Sequence, residues 1–191
     1  IDSSNWVALH APSTVAANIT LTVPSTVGTA DQSLVTDGSG VLSFASRSRL
    51  VRATAVATTS GTSIDFTSIP SWVRRITVMF DGVSTNGTSA VQVQLGDSGG
   101  VETTGYSGGA ASITSSVAAY AAFSSGFVPP GSAAASLRVG LLTIVNIDSN
   151  VWVASGTFDD GATFAGIAQG AKTLSATLDR VRLTTVNGTD T

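Results

Sequence analysis

One lysine (Lys172) and one glutamate (Glu102) are all that 191 residues contain. These side chains normally clothe the solvent face of helices, so a chain almost without them has little from which to build an exposed helix. It is rich instead in 27 Ser, 26 Thr, 25 Ala, 22 Val and 20 Gly. Val and Thr favour the pleated, half-buried surface of a strand, and Gly and Ser favour turns. Charged residues make up 11% of the chain, against roughly 25% in an ordinary soluble domain, whereas 42% is hydrophobic. Such a chain can bury a core and cover it with short hydroxyl side chains. A neutral surface of that kind suits a protein that works outside a cell or packs against copies of itself.

The formal net charge is −3. Basic residues are scattered, apart from Arg47, Arg49 and Arg52 in one short stretch and the adjacent Arg74 and Arg75. No long basic face exists for a phosphate backbone, so nucleic acid is not an expected partner. Cysteine is absent, which removes disulfides and thiolate metal sites. No apolar run reaches the roughly 18 residues of a membrane-spanning helix, and no signal peptide is visible. The first residue is Ile1, not Met, so the chain reads as part of something longer.

Strand signals recur from end to end. Residues 6–9 (WVAL) read as a short strand, and residues 18–23 (NITLTV) alternate apolar and polar, the signature of a half-buried strand. Residues 33–36 and 41–44 flank Asp37-Gly38-Ser39-Gly40, a hairpin turn with Gly where positive φ is needed. A ribbon this thin cannot bury its apolar face alone, and winding with identical chains is the natural remedy. Residues 1–45 are therefore read as a fibre or shaft module and residues 46–51 as a linker. Residues 52–191 are read as a second module, with strands at 52–57, 63–67, 75–80, 91–95, 112–128, 137–147, 151–158, 172–178 and 180–186. Asn86-Gly87 predicts a hairpin between two of them, and residues 96–109 read as a Gly/Ser-rich loop. Residues 137–147 read as buried on both faces in their middle. Pro129-Pro130-Gly131 breaks the chain, and a slip in alternation at Asp179-Arg180 predicts a bulge. The expected fold is all-β: an antiparallel, jelly-roll-like β-sandwich head behind a short N-terminal β-ribbon. The chain closes on an Asn187-Gly188 turn with no return strand, so the head is expected to lack its last strand.

These residues carry a resemblance. "TSIDFTSIPSWVRRITVMFDGVSTNGTSAVQVQLGDSGGVETTGY" and "KTLSATLDRVRLTTVNGTDT" resemble the C-terminal domain of a phage and prophage tail-fibre family. "HAPSTVAANITLTVPSTVGTADQSLVTDGSGVLSFA" resembles the short module that often precedes such heads. The resemblance implies a homotrimeric fibre on the virion, exposed outside the host. It also implies partnership with other phage tail or baseplate proteins and attachment to a bacterial surface glycan or outer-membrane receptor. Family members usually continue with one more strand past the terminal turn.

Gly96-Asp97-Ser98-Gly99-Gly100 spells the surroundings of a serine-protease nucleophile, which needs a His base oriented by an Asp. The one His, His10, stands in "LHAP" within the thin ribbon, with Asp65 or Asp81 as the formal third member. The plainer reading of "GDSGG" is a loop following a strand. His10 alone makes no zinc site within one chain, although three copies near a threefold axis could bind a metal. Asp159-Asp160-Gly161 could contribute to a calcium site, but an ordinary Asp-Gly turn accounts for it. Glu102 and the aspartates supply carboxylates for glycosidase chemistry without marking out a facing pair. Asn18, Asn86 and Asn187 begin Asn-X-Thr triplets that chance alone supplies in so Thr-rich a chain. Sugar recognition uses an aromatic platform with polar neighbours, commonly on loops at one end of a sandwich. Tyr106, Phe158, Asp159, Asp160 and Phe164 are the receptor-binding candidates on that ground, while Trp72 and Trp152 read as core. No catalytic residue, cofactor or metal is expected. Three readings follow: a tail-fibre structural and attachment protein, a capsid head fibre or decoration protein with the same modules, and, remotely, a serine hydrolase resting on Ser98.

Overall fold

The computed structural model describes residues 13–30, 32–46, 50–59, 61–131 and 134–191. The expected strand at 6–9, His10, Arg47 and Arg49 lie outside them. The chain divides into two compact units, Ile1–Thr54 and Ala55–Thr191. Among the described residues there is no helix.

In the first unit β1 (Gln32–Thr36) and β2 (Leu42–Ser46) form an antiparallel hairpin with Leu34 opposite Phe44. Asp37 builds the turn: its carboxylate accepts the Ser39 and Val41 N–H groups at 2.8 and 3.1 Å. Gly38 and Gly40 take the positive φ of 85° and 99° that the reversal needs. The expected strand at 18–23 is not formed. Thr22 alone bridges to the hairpin, donating to the Gly40 carbonyl at 2.9 Å and accepting from Leu42 N–H at 2.8 Å. Its period-2 pattern has no second layer to close on, and Ile19, Leu21 and Val23 stay 71%, 50% and 61% exposed.

The second unit contains β3 (Ser63–Phe66), β4 (Arg75–Val83), β5 (Val91–Asp97), β6 (Gly100–Val101), β7 (Tyr106–Ile113), β8 (Ala118–Phe123), β9 (Arg138–Asp148), β10 (Val151–Asp159), β11 (Ala165–Thr173) and β12 (Leu178–Thr185). They form two antiparallel sheets, a six-stranded one in the order β4-β9-β10-β11-β7-β8 and a four-stranded one in the order β3-β12-β5-β6. The inner faces pack together as a sandwich. Phe80, Leu142, Ile144, Trp152, Ala154 and Phe158 come from the larger sheet; Val91, Val93, Leu95 and Val181 come from the smaller. Every residue of β5 is buried. Its free edge is closed by Phe127, whose N–H and C=O exchange 2.8 Å bonds with Val93, so the smaller sheet does not offer that edge to another chain.

The all-β sandwich is the fold expected from the sequence, and several details differ. Asn86-Gly87 does not join a hairpin, because β4 and β5 belong to different sheets and the connection crosses the sandwich. Asn86 instead accepts Thr191 N–H through its side-chain oxygen at 2.9 Å. Residues 52–57 form no strand and are exposed. The supposed loop at 96–109 contains a hairpin and the start of β7; the supposed strand at 112–128 is the end of β7, a turn, β8 and the Phe127 segment. The strand expected at 172–178 is not formed as such: Lys172 and Thr173 end β11, residues 174–177 turn and Leu178 begins β12, while β11 itself runs from Ala165 through an Ala/Gly-rich stretch of low β-propensity. The bulge at Asp179 is present as a register shift between Leu178 and Arg180.

Candidate functional site

The expected binding aromatics are mostly interior. Tyr106 opens β7 with 4% of its surface exposed. Its ring meets Phe127 edge-on at 5.1 Å. Its hydroxyl accepts Leu95 N–H at 2.6 Å and lies 3.1 Å from the Glu102 carbonyl, to which it can donate. Burial pushes the phenol far above its usual pKa. Phe158 alternates inward on β10 and stacks edge-on against Phe80 at 5.5 Å. Both were expected on loops; both are core side chains because strand alternation carries them inward. Trp152 is core as expected, at 3% exposure, with its indole N–H unpaired, whereas Trp72, expected in the core, is 43% exposed in the connection before β4.

Asp159, Asp160 and Phe164 do come together, in the turn between β10 and β11. Asp159 is exposed and accepts Gly161 N–H. Asp160 accepts the N–H groups of Ala162, Thr163 and Phe164 at 3.0, 2.6 and 3.0 Å, together with the Thr163 hydroxyl. That hydroxyl, opposed by some burial and joined by the three N–H groups, holds the carboxyl far below the usual range. Its acceptor capacity is spent on its own loop and on the Ser136 hydroxyl at 3.4 Å. Half-buried Phe164 lies over Gly131, where an added Cβ would strike the ring. Beneath sits Arg138, fully buried, donating to the Gly131 and Ser136 carbonyls at 2.6 and 3.1 Å and leaving Nε unpaired. Burial lowers its pKa and nearby Asp160 opposes that. Sequence reasoning passed over Arg138. A lone charge at the head of an apolar strand was the available signal.

The single lysine and the single glutamate meet. Lys172 ends inside the sandwich, paired with Glu102 and donating to the Thr104 carbonyl at 2.9 Å, with its ammonium 5.3 Å from the Tyr106 ring centre. Glu102 also accepts Ser175 N–H at 2.7 Å. Burial raises the Glu102 pKa, and the bonds to Lys172 and Ser175 outweigh it, leaving the carboxyl below its ordinary value. This cluster ties the 102–105 connection to the end of β11.

"GDSGG" is the β5–β6 hairpin, with exposed Ser98 and Gly99 at its tip. Asp97 accepts Gly99 N–H at 2.8 Å and the Ser175 hydroxyl at 2.6 Å. Asp65 forms a two-pronged pair with Arg182 at 2.7 Å on the outer face of the smaller sheet. Among the described residues, no three of His, Cys, Asp and Glu gather where they could hold a metal ion.

What the second unit does present is a broad sheet face whose middle rows are uncharged. Strand register sets Met79, Leu141, Thr157, Ile167, Ala111 and Tyr120 in one row across all six strands of the larger sheet. Met79 and Tyr120 are each 71% exposed, Ile167 49% and Leu141 43%. Residues 137–147, expected to be buried on both faces, are buried on one: Leu142 and Ile144 point inward, while Leu141 and Val145 face out uncovered. The chain matches no family model, no curated protein and no solved structure.

Proposed function

We propose that this chain is a structural and attachment component of a phage tail fibre, a homotrimer whose head is presented outside the virion to a bacterial surface glycan or outer-membrane receptor. The observation that carries this reading is the first unit. A two-stranded hairpin is at best marginally stable alone, and here it leaves Ile19, Leu21, Val23, Val27 and Leu34 at least half exposed. Those side chains alternate or recur along an extended ribbon, so identical ribbons wound together give each other the missing layer. The resemblance of "HAPSTVAANITLTVPSTVGTADQSLVTDGSGVLSFA" to a fibre module and of the second unit's segments to a tail-fibre head supports the same assignment. Attachment then works by multivalency: several copies of a weak site on a stiff support raise effective concentration without any single tight contact.

Light scattering across a dilution series tests the assembly, with an expected mass of three times the 19.1 kDa chain. A monomer at every concentration would overturn it. Immunogold labelling of particles with an antibody to the chain is expected on the distal tail; label confined to the capsid would replace this reading with a head fibre.

A further inference from the structure

We infer that the outer face of the six-stranded sheet is covered, in the assembled protein, by another copy of this chain. The inference rests on the self-assembly just proposed and names the surface in the second unit that carries it. Met79, Leu141, Val145, Val153, Ile167 and Tyr120 are all exposed there, from 37% for Val145 and Val153 to 71% for Met79 and Tyr120. An apolar patch beyond a few hundred Å² on a soluble chain marks an interface. The whole face, aliphatic and hydroxyl rows together, is six strands about 4.8 Å apart and about eight residues long at about 3.3 Å per residue, a span of roughly 750 Å². That is close to the roughly 800 Å² each partner contributes to a stable protein–protein contact.

Charge says what kind of partner fits. The smaller sheet carries the Asp65–Arg182 and Asp179–Arg180 pairs. The larger face holds Arg75, Asp81, Asp148 and Asp159, all toward its two ends, and none in the Thr77 and Met79 rows across its middle. A polyanion, an anionic membrane or a strongly charged protein gains nothing from the neutral middle. The row next to Met79 and Leu141 is Thr77, Thr143, Ser155 and Gln169, so aliphatic and hydroxyl or amide stripes alternate. A surface of the same composition satisfies both stripes, and every copy brings one. The face also runs out to β8, an edge strand of Ala, Tyr and Phe with no charge, Pro or bulge, the kind of edge that soluble monomers normally blunt. Tyr120 lies over Gly109, where an added Cβ would meet its ring.

The test uses the full chain, which has no cysteine, so Ile167→Cys and Ser63→Cys each carry one thiol, on the larger face and on β3 of the other sheet. Native maleimide labelling at a concentration where light scattering shows more than one chain is expected to be at least tenfold slower for Ile167→Cys than for Ser63→Cys. The two rates should converge on dilution to the monomer. Ile167→Arg, still folded by circular dichroism, is expected to lower the mass. Equal labelling rates in a chain that remains multimeric would overturn this face as the interface and leave self-assembly standing. A monomeric wild type would overturn both. Slow labelling of Ile167→Cys in a monomer would assign the face to another segment of the same chain and also overturn the inference.

Discussion

At the scale of the residue, the side chains that looked chemical are mostly structural. Tyr106 shows how this happens: its ring fills the core, and its hydroxyl satisfies a β5 N–H that would otherwise be buried without a partner. Tyr106→Phe is therefore expected to cost about 2 kcal/mol, the penalty of stranding a buried amide, measured as a shift in denaturant midpoint with unchanged slope. A substitution that acted only through a surface contact would leave the midpoint where it was. The carboxylates set the pH response. Glu102, with an ordinary value of 4.5, and Asp65, Asp97, Asp160 and Asp190, at 3.8, are all lowered in the folded chain. A lowered folded-state pKa adds stability that is fully present above the unfolded value and disappears as pH falls through the folded one. The thermal midpoint is thus expected to be level down to about pH 5 and to fall below about pH 4, with Glu102→Gln less pH-sensitive in that range than the parent chain.

At the scale of the element, alternation located most of the strands but not their partners. The pattern in residues 75–80, 91–95 and 151–158 needs only its own period, and β4, β5 and β10 lie there. Pairing depends on which face is covered, and Asn86-Gly87 shows the limit. The dipeptide favours a tight reversal locally, yet β4 and β5 each gain more by burying an inner face in opposite sheets than by pairing with one another. β11 was hidden for the converse reason. Ala and Gly have little strand preference, and it is held by neighbours on both sides, β10 and β7, which no local window contains.

At the scale of the whole molecule, the two units differ in what they need. Among the described residues, all sixteen buried hydrophobics of the core lie between Phe80 and Val181, so the second unit has a core of its own. Residues 55–191 expressed alone are expected to unfold cooperatively, and residues 1–54 alone to show no cooperative transition by circular dichroism. A cooperative, monomeric 1–54 would remove the reason for winding copies together. The sequence by itself determined the class of fold, because a chain with one Lys, one Glu and abundant Val and Thr can clothe strands but not helices. It also located the Asp37 hairpin and the bulge before Arg180, whose causes lie within a few residues of each other. Only the tertiary structure decided that Tyr106 and Phe158 point inward, that Lys172 finds Glu102 across seventy residues of chain, and that one side of β9 is left bare. Those outcomes depend on which strands become neighbours, and that choice is made by burial summed over the whole sandwich rather than by any local pattern.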